Sequence, residues 1–252
     1  MPDSPSPLTA LPAAPRAAIA RAATHPLAPA GLLLLALGLV GALTVATHEV
    51  YEGVTDGDGI AVLDHPVLQF MIDHRTHSLT LLAQALAHAG DVMGAAIVTL
   101  LLMAGLCALR RDPAPALVIA PAMTGALAIT ALGKAIVGRV RPPHTLALPP
   151  HETSPSFPSG HTLNATVLMA IVAYLAWISL RRAWLRWSVV ATCAGYALAM
   201  GMSRVYLGAH WLTDVIAGWL IGLAWSLAVI TAHQLWLRRR RAERSAEPSR
   251  SC

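Results

Sequence analysis

The sequence predicts an all-α protein, a bundle of six transmembrane helices, and three observations predict it. Hydrophobic residues make up 56% of the 252-residue chain, charged residues only 12%, and mean hydropathy is +0.58, more apolar surface than one soluble core of this size would bury. Apolar stretches near the roughly 20 residues that cross a bilayer recur six times along it. These stretches carry almost none of the charge that the outer faces of a soluble helical bundle would need.

The spans run approximately from Ala28 to Thr47, Val92 to Leu109, Pro115 to Leu132, Thr162 to Leu180, Trp187 to Met202 and Trp211 to Trp236. The first follows Arg16 and Arg21, as a secretory leader would, but its apolar run is long for a leader and it reads as a retained anchor. Residues 1 to 26 are rich in Pro and Ala and are expected to be a disordered cytoplasmic segment. Residues 27 to 237 form the expected six-span domain, with no internal repeat, and residues 238 to 252 a loose, solvated basic tail.

A formal charge of +5 raises the question of a nucleic-acid partner, and the placement of the charges answers it. With loops assigned alternately to the two sides, Arg16, Arg21, Arg110, Arg111, Arg181, Arg182, Arg186 and the six arginines from Arg238 onward share one side, 13 of the 18 basic residues. Such a bias marks the cytoplasmic face, so both termini are expected inside, in the cell inner (plasma) membrane. Membrane lipids, not nucleic acid, are the expected partners. The opposite face keeps Arg75, Lys134, Arg139, Arg141 and Arg204 beside Glu49, Glu52, Asp56, Asp58 and Asp64.

Three loops belong to that outer face. The first, about residues 48 to 91, is long enough for one short interfacial helix around Pro66 to Ala87, and Asp91 reads as a helix-end residue. The second, residues 133 to 161, contains RPPH, LPPH and SPSFPSGH and cannot be helical throughout, because proline lacks a donor and constrains its neighbour. The third is short and surrounds SRVYLGAH. The seven tryptophans read as interface anchors or packing residues, with Trp219 and Trp225 the deeper ones. Cys107, Cys193 and Cys252 form neither a disulfide framework nor a zinc pattern, and His65, His74, His77, His144 and His151 read as polar loop residues, so no metal is expected.

The outer face also holds the residues capable of chemistry. Lys134 is the only lysine in the chain, and Arg141 follows seven residues later, two turns on if the helix continues. Alone, a lysine near a span end would simply snorkel to the interface. Pro158-Ser159-Gly160-His161 leads into the fourth span as a small turn whose free N–H groups suit an anion, with the Ser159 hydroxyl and close approach at Gly160. Ser159 is equally an ordinary helix cap. His210 and Asp214 are four apart, so on a helix the carboxylate would hold one ring nitrogen and leave the other free, with Arg204 just upstream. Helix pairs of this spacing also occur without chemistry; the other two clusters on the same face favour the functional reading.

Taken together, Lys134 with Arg141-Pro142, Pro158 to His161, and Ser203-Arg204 with His210 and Asp214 resemble the three-part signature of the type 2 phosphatidic acid phosphatase superfamily, a group of integral membrane lipid phosphatases. The signature occupies residues 134 to 214 with no departure from the pattern. The resemblance implies an active site at the outer membrane–water interface where His210 attacks phosphorus to give a phosphohistidine, Asp214 orients and stabilises its imidazolium, and His161 protonates the departing oxygen and later takes a proton from water. Lys134, Arg141, Ser159, Gly160 and Arg204 would bind the phosphoryl group, with no metal or other cofactor. It allows undecaprenyl pyrophosphate, phosphatidylglycerol phosphate, phosphatidic acid, lysolipid phosphates or lipid A phosphates as substrate, the first two being most attractive. A phosphotransferase using the same histidine shares these motifs. A phosphate-binding transporter would not need the two histidines and Asp214.

Overall fold

Helices supply every regular element among the described residues, which are residues 28–246 of the computed structural model. The expected N-terminal segment, residues 1 to 26, and the last six residues lie outside them. In chain order the elements are α1 (Ala28–Asp56), a 3₁₀ turn (Gly59–Leu63), α2 (Asp64–Asp73), α3 (His77–Gly90), α4 (Val92–Arg110), α5 (Ala114–Val137), α6 (Gly160–Ser179), α7 (Ala183–Tyr206) and α8 (Leu212–Ala246). The chain forms two units, Met1–Leu39 and Val40–Cys252. In the first, the described part is the leucine-rich start of α1; the second holds all the elements that follow.

Among the described residues, five helical stretches are long and apolar enough to cross a membrane: Gly31–Asp56, Val92–Arg110, Ala114–Val137, Gly160–Ser179 and Leu212–Glu243. The other expected span corresponds to α7, 24 residues long but with Arg186 near its start and Arg204 in its last turn, which dilute its hydropathy. Helix α4 has no buried residue, and Val92, Leu101 and Leu109 expose 86%, 68% and 84% of their surface. Water would penalise such a face and lipid tails would not, which makes this a multi-pass membrane protein.

At the centre, α6 packs on α5, α7 and α8. Leu163, Val167, Ile171 and Leu175 of α6 interlock with Val118, Ile119, Ala122 and Ala126 of α5. Trp225 and Trp219 are packing residues, as expected: their indole N–H groups donate to the carbonyls of Ala122 (2.8 Å) and Ala197 (3.0 Å). Each satisfies a buried polar group where water is absent.

Two elements depart from expectation. The segment expected as the first outer loop holds two helices instead of one, because the chain breaks at His74–Thr76, where Thr76 caps α3 and accepts from the Leu79 N–H (3.4 Å). At the break Arg75 donates to the carbonyls of Tyr206 (2.9 Å) and Leu146 (2.8 Å), fastening this loop to the end of α7. Helix α8 continues to Ala246, through the arginines expected to be loose. Arginine is a good helix former and suits the negative end of the dipole, and Arg240 lies over the Trp236 ring at 4.2 Å.

Candidate active site

Lys134 sits in the last turn of α5, which ends at Gly138, a residue at φ 62° whose N–H donates to the Lys134 carbonyl (3.0 Å). That left-handed conformation suits glycine and stops the helix. The helix therefore does not continue to Arg141, and a shared helical face is not what unites the two cations. They converge because both reach the same loop: Lys134 Nζ donates to Ser154 Oγ (3.2 Å) and the Pro155 carbonyl, while Arg141 Nε donates to the Ser154 carbonyl (2.6 Å).

Ser159 precedes α6 fully buried, its N–H donating to the Asp214 carbonyl (3.0 Å) and its hydroxyl accepting from Thr162 Oγ1 (2.9 Å). Its side chain makes no capping bond. Gly160 lies so close to α5 that a Cβ there would come within 2.9 Å of Thr130 Cγ2 and 3.9 Å of Lys134 Cε. Absence of a side chain thus lets the start of α6 dock beside Lys134.

His161 Nε2 lies 3.1 Å from the Ala87 carbonyl of α3. A carbonyl only accepts, so the network assigns the hydrogen to Nε2 and a lone pair to Nδ1.

His210 and Asp214 do meet, though not on one helical face. His210 precedes α8, and Asp214 lies in its first turn, where its carboxylate reaches back to the Trp211 N–H (2.9 Å) as in half of a capping box. Asp214 Oδ2 also faces His210 Nδ1 at 3.3 Å and accepts from the Ser156 hydroxyl. On the other side of the ring, Nε2 accepts from Arg141 Nη1 (3.0 Å). Nδ1 therefore carries the hydrogen and Nε2 the lone pair. The imidazole is fully buried, and burial pushes its pKa down to about 4 against the opposing hydrogen bond to Asp214. At neutral pH it is uncharged.

At the centre lies a residue that the motifs do not contain. Glu152 accepts from Arg141 Nη2 (2.7 Å) and Arg204 Nη2, with His161 Nδ1 at 3.5 Å and His210 Nε2 at 3.9 Å. Burial alone would raise its pKa, but His210, Arg204, His161 and Arg141 outweigh burial and hold it at about 2. Arg204 is fully buried, and its Nε and Nη1 have no hydrogen-bond partner. Unsatisfied guanidinium donors beside a captured carboxylate describe a seat for an anion with more acceptor oxygens than a carboxylate has.

Arg141, Arg204, His161 and His210 are thus brought together around Glu152, Asp214 stands behind His210, Lys134 joins through Ser154 and Pro155, and Ser159 and Gly160 set the start of α6. Sequence reasoning missed Glu152, Ser156 and Arg139. The available signal for Glu152 was a single acid between two basic motifs, but a proline-rich loop has no period from which to place it.

Comparison with known proteins gives the same grouping. Residues 115–238 match the family described as PAP2 superfamily. The chain is 40% identical over 93 residues to phosphatidylglycerophosphatase B of Bacillus subtilis (strain 168), covering 34% of this chain and 42% of that protein. It is 34% identical over 101 residues to an undecaprenyl-diphosphatase of Sulfolobus acidocaldarius, covering 38% of this chain and 45% of that one. The matched part thus spans about half the length of these curated relatives, or somewhat less. A crystal structure of a transmembrane PAP2-type phosphatidylglycerolphosphate phosphatase from Bacillus subtilis shares the fold at a TM-score of 0.63 and 25% identity, over 83% of this chain and 97% of that one. Residues 115–238, the stretch that carries all three motifs, belong to the PAP2 superfamily.

Proposed function

We propose that the protein is a membrane lipid phosphatase that hydrolyses a lipid phosphate or pyrophosphate through a phosphohistidine. The observation that carries this reading is the Glu152 carboxylate, an anion held by Arg141 and Arg204 with two histidine nitrogens facing it. A phosphoryl group taking that seat displaces Glu152 and meets His210 Nε2 from one side and His161 Nδ1 from another. Arg141 then turns its donors from the ring nitrogen to phosphate oxygens, and Lys134 adds a third cation.

In the first step the Nε2 lone pair forms an N–P bond as the P–O bond to the leaving group breaks. The lone pair on His161 Nδ1 takes up the acidic proton of the phosphoryl group as it binds and passes it to the departing oxygen, while the Ala87 carbonyl keeps the ring oriented. In the second step neutral His161 takes a proton from water, the new O–P bond forms, and the N–P bond breaks. Asp214 holds the Nδ1 hydrogen of His210 throughout. Side-chain cations do the neutralising, so activity is expected to persist in chelator.

Phosphatidylglycerol phosphate and undecaprenyl pyrophosphate are the preferred substrates, supported by the names of the two relatives, with phosphatidic acid next. The arginine bias of the loops supports a site on the outer side of the plasma membrane with both termini inside. The test is phosphate release from these lipids by the detergent-solubilised protein, beside His210→Ala, with chelator present. Release by the parent and none by the variant is expected. Equal release by both would overturn the reading.

A further inference from the structure

Asp64 opens α2 in the first outer loop, outside the matched family segment, and is 2% exposed. Its Oδ1 accepts from the Thr213 N–H (2.9 Å) and its Oδ2 from the Thr213 hydroxyl (2.7 Å) and from Arg139 Nη2 (2.7 Å). Arg139 Nη1 donates in turn to Thr213 Oγ1 (2.7 Å) and to Asp214 Oδ1 (2.6 Å). Its guanidinium lies over the Trp211 ring at 5.7 Å. Asp64, Arg139 and Thr213 therefore close a ring of hydrogen bonds that ends on one oxygen of Asp214.

We propose that Asp64 and Arg139 are positioning residues, which act on the phosphoryl-transfer step by fixing the carboxylate that supports His210. The inference rests on the phosphatase reading above. With Oδ1 pinned by Arg139, Oδ2 is left to face His210 Nδ1, the Trp211 N–H and the Ser156 hydroxyl. A carboxylate held at one oxygen cannot swing away from the ring as the ring gains positive charge. Asp64 does the same for Arg139, and it also satisfies the Thr213 N–H, one of the first-turn donors of α8 that have no helical partner. Arg139 stands between two buried carboxylates, so its removal leaves them facing each other without a cation. Neither residue bonds to Glu152, Arg141, Arg204 or either histidine, so the pair bears on the nucleophile and leaves the anion seat alone.

That separation gives a readout that a merely structural role would not move. Parent, Asp64→Asn, Arg139→Gln and Arg139→Lys full-length proteins are compared by rapid-quench formation of the acid-labile phosphoenzyme from labelled phosphatidylglycerol phosphate, and by inhibition with inorganic phosphate. Asp64→Asn and Arg139→Gln are expected to slow phosphoenzyme formation by about 10- to 100-fold, the range for partners that orient a primary group. Arg139→Lys should recover part of the loss, and inorganic phosphate affinity should stay within about threefold of the parent, less than 1 kcal/mol. Formation at the parental rate in both neutral variants would overturn the proposal, as would a loss of inorganic phosphate affinity in step with the rate. A parent that forms no phosphoenzyme would instead refute the underlying mechanism. Should Asp64→Asn unfold, Asp64→Glu keeps the charge, moves it by one methylene, and is read by the same two criteria.

Discussion

Replacing Glu152 by Gln removes the charge that competes for the phosphoryl seat while keeping the side chain's size. In the resting protein the carboxylate accepts charge-assisted bonds from Arg141 and Arg204, both of which an incoming anion must break. A hydrogen bond involving a charged group is worth about 1.5–3 kcal/mol net. Glutamine retains one acceptor oxygen, so the variant surrenders roughly one such bond, and vanadate or phosphate should bind about 10- to 100-fold more tightly. The same change leaves Arg204, fully buried, with less compensation, so the ligand-free variant should melt at a lower temperature than the parent. Vanadate titration of inhibition beside thermal unfolding with and without vanadate reads both effects. Tighter binding together with a lower unliganded melting temperature is expected. Weaker or unchanged vanadate binding in Glu152→Gln would rule out this competition, because Glu152 would then support the guanidiniums from the side.

Further perturbations bear on other parts of the site. Arg204→Lys keeps the charge but loses the fork whose Nε and Nη1 await a partner, and kcat/KM should fall by about 10²–10³. Gly160→Ala should lower both stability and turnover by pressing on Thr130 Cγ2, and Thr130→Ser in the same chain, which removes that methyl, should restore them; persistent loss in the double variant would point elsewhere. His210 titrates near pH 4 in the folded protein against an ordinary 6.5, so between those values the unfolded chain binds a proton that the native site refuses. Native stability is therefore complete above pH 6.5 and should decline by about 3 kcal/mol as pH falls to 4, with a smaller decline in His210→Asn measured by thermal unfolding. Activity should fall over the acid end of the range as Nε2 takes up its proton.

The chemistry was more legible in the sequence than the geometry that unites it. Lys134, Arg141, His161, Arg204, His210 and Asp214 were marked by motif spacing, and the apolar runs located the long helices, because both signals are local. What joins them is not local. Lys134 and Arg141 meet through Ser154 and Pro155 across a helix stop at Gly138, and His210 is oriented by a capping interaction of Asp214 instead of a shared helix face. Glu152, Arg139 and Asp64 carry no periodic or motif signal; they became visible only when the loop and the first outer segment folded back onto the start of α8. The break at Arg75 was likewise hidden, since its cause is two carbonyls on distant parts of the chain.

Hydrolysis through a phosphohistidine requires that His210 Nε2 form a bond to phosphorus. Quenching the parent protein during turnover of labelled phosphatidylglycerol phosphate and mapping the retained phosphoryl group by mass spectrometry tests it most directly. An acid-labile, base-stable phosphoryl group is expected on the peptide containing His210, absent from His210→Ala. A phosphoryl group on Ser159 or another side chain, or turnover with no covalent intermediate in a rapid quench, would contradict it.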